Sequence, residues 1–260
     1  MKVLLLIATI VGALAVSTAS ASSVQNDLLY PQFNLVRDFH RDELVPQGET
    51  RDLLEHALKL INMIVDQAVK AIDKVQQEIE RLFDDLLLQG EELLEFAKAE
   101  INRIIQKALE DLNLENLGLQ ECAEIVPQRV EEITKTAFDN LKKCFDDFAE
   151  RVKISRENIK EHIAFLTGKV QQIQEVGQSC VDGNGNLIDQ VKCLFDHVPE
   201  TNAIVVEILS DVGQLLAETV KEAVSLLNDT RGCLLDVVKQ AENEVQKLVQ
   251  EVLECVQQQG

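Results

Sequence analysis

The chain has 260 residues, with 45 Asp and Glu against 25 Lys and Arg, a formal charge of −20 at neutral pH and 46% hydrophobic residues. Such a balance repels phosphate backbones and anionic headgroups, which argues against nucleic-acid binding. No Trp, one Tyr, four Pro and an abundance of Leu, Val, Ala, Glu, Gln and Lys predict an all-α protein.

The N-terminus reads as a secretory signal peptide, residues 1–21. Lys2 precedes an uncharged run from Val3 to Val16, and small residues Ala19-Ser20-Ala21 close it. The run falls short of the ~20 apolar residues that a membrane anchor needs, so cleavage is expected after Ala21. Loss of Lys2 then takes the formal charge from −20 to −21. No later stretch is apolar enough to span a bilayer; the run at Ile204 to Val206 is ended by Glu207. The expected product is a secreted, extracellular protein without a transmembrane segment.

Residues 22–48 carry Pro31, Pro46 and Gly48 without a sustained period and read as an irregular segment, with a short helical piece around Leu35 to Phe39. Residues 49–117 form a heptad-patterned arm or hairpin. Leu54, Leu58, Ile61, Val65, Ala68, Ile72, Val75, Ile79, Leu82 and Leu86 alternate steps of four and three, which predicts supercoiled packing on a partner helix. A second stripe, Leu94, Ala97, Ile101, Ile104 and Ala108, is offset from the first. The chain therefore either turns back near Gln89-Gly90, the preferred reading, or continues as a bent helix. This cysteine-free region can pack on the rest, stand apart, or pair between copies through residues 50–112.

Residues 118–260 hold all six cysteines, Cys122, Cys144, Cys180, Cys193, Cys233 and Cys255. Pro127 suits the first turn of a helix whose stripe runs Val130, Ile133, Ala137, Leu141, Cys144, Phe148 and Val152. Ser155 either caps a further helix or lies within an unbroken one. Val181 to Asn186 is a dense turn signal, followed by a short helix from Leu187 that ends before Pro199. Two more helices, near 200–227 and 233–257, are joined by a turn at Asn228 to Gly232. The last carries the stripe Leu234, Val238, Ala241, Val245, Leu248, Val252 and Cys255.

An even cysteine count in an exported chain implies disulfides. Cys122 to Cys144 and Cys233 to Cys255 are both 22 residues apart, about six helical turns or roughly 33 Å. Antiparallel helices would join Cys122 to Cys255 and Cys144 to Cys233, leaving Cys180 and Cys193 for a local bridge. Pro127 qualifies the first pair, because a helix beginning there leaves Cys122 in the preceding loop. The fold expected is an elongated bundle of long amphipathic helices with coiled-coil-like packing, cross-linked by disulfides.

Other constellations carry less chemistry. Asp182, Asn184 and Asn186 occupy the first, third and fifth positions of a calcium loop, but Leu187 and Cys193 stand where its Gly and bidentate Glu belong. Cys193 and His197, with Cys180, have zinc-ligand spacing, yet export favours oxidation of the thiols, so no metal or cofactor is expected. His40, His56, His162 and His197 are scattered, and pairs such as Glu91-Glu92 and Asp146-Asp147 read as solvated faces. No catalytic motif emerges. Asn228-Asp229-Thr230 is a glycosylation sequon in an expected turn, making Asn228 a modification site.

At Gln120-Glu121-Cys122 through Leu141-Lys142-Lys143-Cys144-Phe145, with later cysteines after a helical interval, the chain resembles the TsetseEP-domain family of secreted insect proteins over about Leu117 to Cys233. The resemblance implies an insect extracellular protein of gut or haemolymph without a known catalytic motif, and it transfers no functional residues. The functional expectation is a non-enzymatic secreted protein that binds an unknown protein or extracellular surface, or assembles structurally. The alternative is a carrier of lipid or another small apolar ligand between its helices.

Overall fold

The computed structural model describes residues 47–112, 120–183 and 185–259. The expected signal peptide and cleavage point after Ala21, the expected helical piece at 35–39, His40 and most of the boundary segment at 113–120 lie outside them. The described residues form three helices and no strand: α1, Gln47–Leu112; α2, Gln120–Asp182; and α3, Leu187–Gln259. None is long and apolar enough to cross a membrane.

The helices are longer than their breaker residues suggest. α1 passes through Gly90 without a hairpin; α2 begins at Gln120, so Pro127 lies two turns inside it; and α3 runs through both Pro199 and Asn228–Gly232. Ser155 is interior to α2 and caps nothing. Pro127 and Pro199 are exposed, while their neighbours Val126 and Val198 are buried. Each ring thus stands on the solvent side, and packing of the adjacent residue offsets the lost backbone hydrogen bond.

The chain divides into two compact units. Of the described residues, one comprises those up to Ile79 together with Asn158–Val220; the other comprises those within Glu80–Glu157 and from Lys221 onward. Each contains a segment of all three helices.

In the first unit the core stripes have a seven-residue period, on α1 from Ile61 onward, Ala57 being buried in place of Leu58. Buried positions step by alternating threes and fours through Ile61, Val65, Ala68, Ile72, Val75 and Ile79 on α1. The same rhythm holds through Ile163, Leu166, Val170, Ile173, Gly177 and Cys180 on α2, and from Val191 to Leu215 on α3. Heptads keep the apolar seam facing its partners by slight overwinding to 3.5 residues per turn. Ile61 Cγ2 lies 3.7 Å from where a Cβ on Gly177 would stand. Lys169 on α2 reaches Glu207 (2.8 Å) and Asp211 (3.3 Å) on α3.

In the second unit the period is eleven, in steps of four, four and three. Phe83, Leu86, Gly90, half-buried Leu94, Ala97, Ile101 and Ile105 follow it on α1, and Ile133, Ala137, Leu141, Cys144, Phe148, Val152 and Ser155 on α2. On α3 it runs from Ala223 to Leu248. Eleven residues in three turns give 3.67 per turn, the period of straight to right-handed winding rather than of a left-handed coil. The stripe on α1 therefore changes step at Phe83, which is buried where the heptad would have buried Leu82, now only half covered. Beyond it Gly90 is a core position, with the ring of Phe148 directly against its backbone. Ala97, Ile101, Ile105 and Leu112 share one core with Ile133, Ala137 and Leu141 of α2 and with Ala241, Val245 and Leu248 of α3. Within this unit α1 is thus a full member of the cysteine-bearing bundle.

Candidate functional site

All six cysteines are paired. Cys122 joins Cys255 and Cys144 joins Cys233, each with Cα atoms 5.9 Å apart, and Cys180 joins Cys193 at 5.6 Å. The first two staple α2 to α3 in antiparallel register in the second unit. Ion pairs continue that register: Arg129 to Glu251 at 3.6 Å and Arg151 to Asp229 at 3.0 Å.

Between the two staples the core includes two small residues, Ala137 of α2 and Ala241 of α3, among larger ones such as Leu141, Val245 and Leu248, and both alanines line a groove of about 220 Å³. Ile133 and Val237 complete its apolar floor, and Arg129, Glu132, Thr136, Asn140, Gln240 and Glu244 form a polar rim. Arg129 is held by Glu132 (3.3 Å) and Glu251, and Glu244 by Lys247 (2.7 Å). The hydrogen bond and charge of Lys247, with the charge of Arg129, hold the Glu244 carboxyl below the usual carboxylate range. A concavity with a small apolar floor and fixed charges at its edge can seat a small amphipathic group or a protruding side chain. No motif announces these residues in the sequence; the available signal is alanine at two core positions.

A second polar cluster lies in the same unit. Ser155, buried at a core position, donates its hydroxyl to Glu222. Arg156 next to it pairs with Glu80 (3.4 Å) and Asp84 (2.7 Å), and its guanidinium stands 5.6 Å over the ring of Phe83. Three helices meet there through charge and hydrogen bonds.

The remaining predicted positions are dispersed. Asn228 is exposed, but on α3 rather than in a turn. The threonine of its sequon, Thr230, is buried and donates to the Leu226 carbonyl (2.8 Å). Asp182 accepts from Gln178 (3.0 Å), and the Asn186 side chain caps α3 by accepting from the N–H groups of Ile188 and Asp189, both 3.0 Å. Asn184 lies outside the described residues. Asn186 is thus the N-cap residue of α3. His56 is exposed, His162 packs edge-on to Phe165, and His197 Nδ1 lies 3.2 Å from Glu200 Oε2. One ligand atom each from Cys180, Cys193 and His197 lie within 4.8 Å of one another.

No curated protein matches the chain. A solved computationally designed three helix bundle aligns with 81% of this chain and 93% of its own, at 17% identity and a TM-score of 0.24. A family model described as a protein of unknown function (DUF725) matches residues 119–238, a span that contains every cysteine except Cys255.

Proposed function

We propose that this is a secreted, non-enzymatic helical protein that acts by binding, with the groove over Ala137 and Ala241 as its contact site for an extracellular partner. The observation that carries the reading is the position of that groove between two interhelical disulfides. Its walls are covalently held at both ends, so little ordering remains to oppose binding. The long apolar stripes favour this reading over the lipid carrier, because they are occupied by packing against one another. The resemblance to the TsetseEP-domain family supports an extracellular setting in an insect. Glycosylation at Asn228 belongs to the same reading, since the exposed side chain has room for a glycan.

Partner capture with the wild-type protein and an Ala241→Leu variant, quantified by mass spectrometry, tests the proposal. A partner retained by the first and lost by the second supports it; equal retention by both refutes the groove. Organic extraction of the native protein addresses the carrier: a stoichiometric lipid would replace binding as the function. Self-association through residues 50–112 would raise the scattering mass with concentration.

A further inference from the structure

Among the described residues, the cluster of Cys180, Cys193 and His197 is the ligand-bearing constellation that the binding reading leaves unused. It lies wholly in the first unit, where α2 ends and α3 begins. We propose that the Cys180–Cys193 disulfide gates a metal site: when it is reduced, the two thiolates and His197 hold one divalent ion of the zinc class.

The ligand set is of the right kind and already assembled. Cys193 and His197 stand one turn apart on α3, Cys180 faces them from α2, and the donor atoms lie within 4.8 Å of one another. Tetrahedral zinc, with Zn–S near 2.3 Å, needs its sulfurs about 3.8 Å apart. Side-chain rotation supplies that separation, because the Cα atoms are already 5.6 Å apart. Glu200 Oε2, 3.2 Å from His197 Nδ1, is the outer carboxylate that orients a ligating imidazole. Cys180 is buried whereas Cys193 and His197 are half exposed, so an ion sits at the edge of the core with its fourth position open to water.

The hairpin also has a clasp that does not depend on sulfur. Gln190 Nε2 on α3 donates to the Val181 carbonyl at the end of α2 (2.9 Å), and Asn186 caps the start of α3. Val191 and Leu194 are buried beside them. The two thiols therefore remain neighbours when the bond opens.

The chemistry balances with an external low-molecular-weight thiol as reductant. Two RSH convert the bridge into two cysteine thiols and leave as RSSR; the ion then displaces both thiol protons, and His197 contributes a neutral nitrogen. In the reverse direction RSSR takes two electrons from the bound thiolates, the protein disulfide reforms, and the ion departs with two RS⁻. The state of the bridge thus decides whether the metal is held.

The test uses Co²⁺ as the probe on the full chain, read by its thiolate-to-metal absorption, with circular dichroism recorded in parallel. After phosphine reduction the protein should take up one Co²⁺ that Zn²⁺ displaces, and the oxidised protein none. Cys144→Ser/Cys233→Ser should retain the signal, Cys180→Ser/Cys193→Ser should lose it, and His197→Ala should weaken it at least about tenfold. Equal uptake by the Cys180→Ser/Cys193→Ser variant overturns the proposal, as does a helical reduced chain that takes no Co²⁺. Collapse of helicity on reduction overturns it too, since the site requires the clasp to stand alone.

Discussion

Glycine at position 90 offers the sharpest test of the eleven-residue core. In an ordinary helix interior, Gly→Ala is stabilising by about 1 kcal/mol. At Gly90 a Cβ would lie 2.2 Å from Phe148 Cε1 and 2.9 Å from Cδ1, and Phe148 is itself only 2% exposed. The ring has to shift within a packed core, and overpacking of this kind costs about 1–3 kcal/mol. Gly90→Ala should therefore be destabilising by up to about 2 kcal/mol after the propensity gain is subtracted. Gly232, also helical but with nothing within 4 Å of its added Cβ, is the matched control. Gly232→Ala should be stabilising by about 1 kcal/mol, which raises the melting temperature by about 2–4 °C for a chain of this size. Urea unfolding of both variants measures the difference. Truncating Phe148 to Ala should remove the penalty at position 90, leaving a coupling of about 1–3 kcal/mol in the double-mutant cycle. If Gly90→Ala is as stabilising as Gly232→Ala, Phe148 does not occupy that notch and the continuous stripe is wrong.

Opening a staple should cost more when the loop it closes is longer, as the logarithm of loop length. Chain entropy assigns about 5 kcal/mol to the loops of 89 and 133 residues and about 3 to the 13-residue one; Cys144→Ala/Cys233→Ala should thus lower the thermal midpoint more than Cys180→Ala/Cys193→Ala. Leu166 and Phe165 are neighbours with opposite environments, 0% and 59% exposed. Leu166→Ala should cost about 2–5 kcal/mol by chemical denaturation, whereas Phe165→Ala, which loses only the contact with Lys169 and an edge contact with His162, should cost less than about 1 kcal/mol. Arg103 and Lys247 hold Glu100 and Glu244 below the ordinary carboxylate range. Their contribution is therefore complete above an unfolded-state value of about 4.3 and disappears as pH falls through the lower folded values; Glu100→Gln/Glu244→Gln should flatten the acid side of a melting-temperature profile. Glycosidase treatment of the protein expressed in eukaryotic cells should shift it on a gel, and Asn228→Gln should abolish that shift.

The helical class, the inward-facing stripes and the cysteine pairing were legible because each rests on spacing. Helix ends were not, because every breaker residue had a tertiary reason to be tolerated. Pro127 and Pro199 put their rings in solvent, and Asn228–Gly232 continues a helix whose flanking Leu226, Thr230 and Leu234 are buried. Local propensity yields to packing in such a case, since most helical stability comes from the buried face. Gly90 was misread for a different reason. With a seven-residue frame carried past Ile79, Phe83 falls out of step, Leu94 seems to begin a new stripe, and the glycine between them looks like a break. An eleven-residue frame makes the same residues one stripe. The groove residues Arg129, Asn140 and Gln240 had no signal of their own, because they acquire meaning only when Ala137 and Ala241, on two helices, line one groove.

The same distinction accounts for the spacing of the staples. At 3.5 residues per turn, 22 residues overshoot six turns by about 100°, and two cysteines so spaced face different directions. At 3.67 per turn, 22 residues are two repeats and six whole turns, so they share a face. Cys122, Ile133, Cys144 and Ser155 are successive members of one eleven-residue series on α2, and all four are buried. On α3, Cys233 and Cys255 answer them at the same separation. Two level staples 22 residues apart therefore suit the second unit and would not align in the first. The first unit, whose stripes are heptads, carries its single bridge between the end of α2 and the start of α3, joining cysteines only 13 residues apart in sequence, where the alignment of long helices is not required. The period of the apolar stripe thus determines where an interhelical ladder of disulfides can be built, and a change of period along each helix separates the part closed by long-range bridges from the part closed at its hairpin.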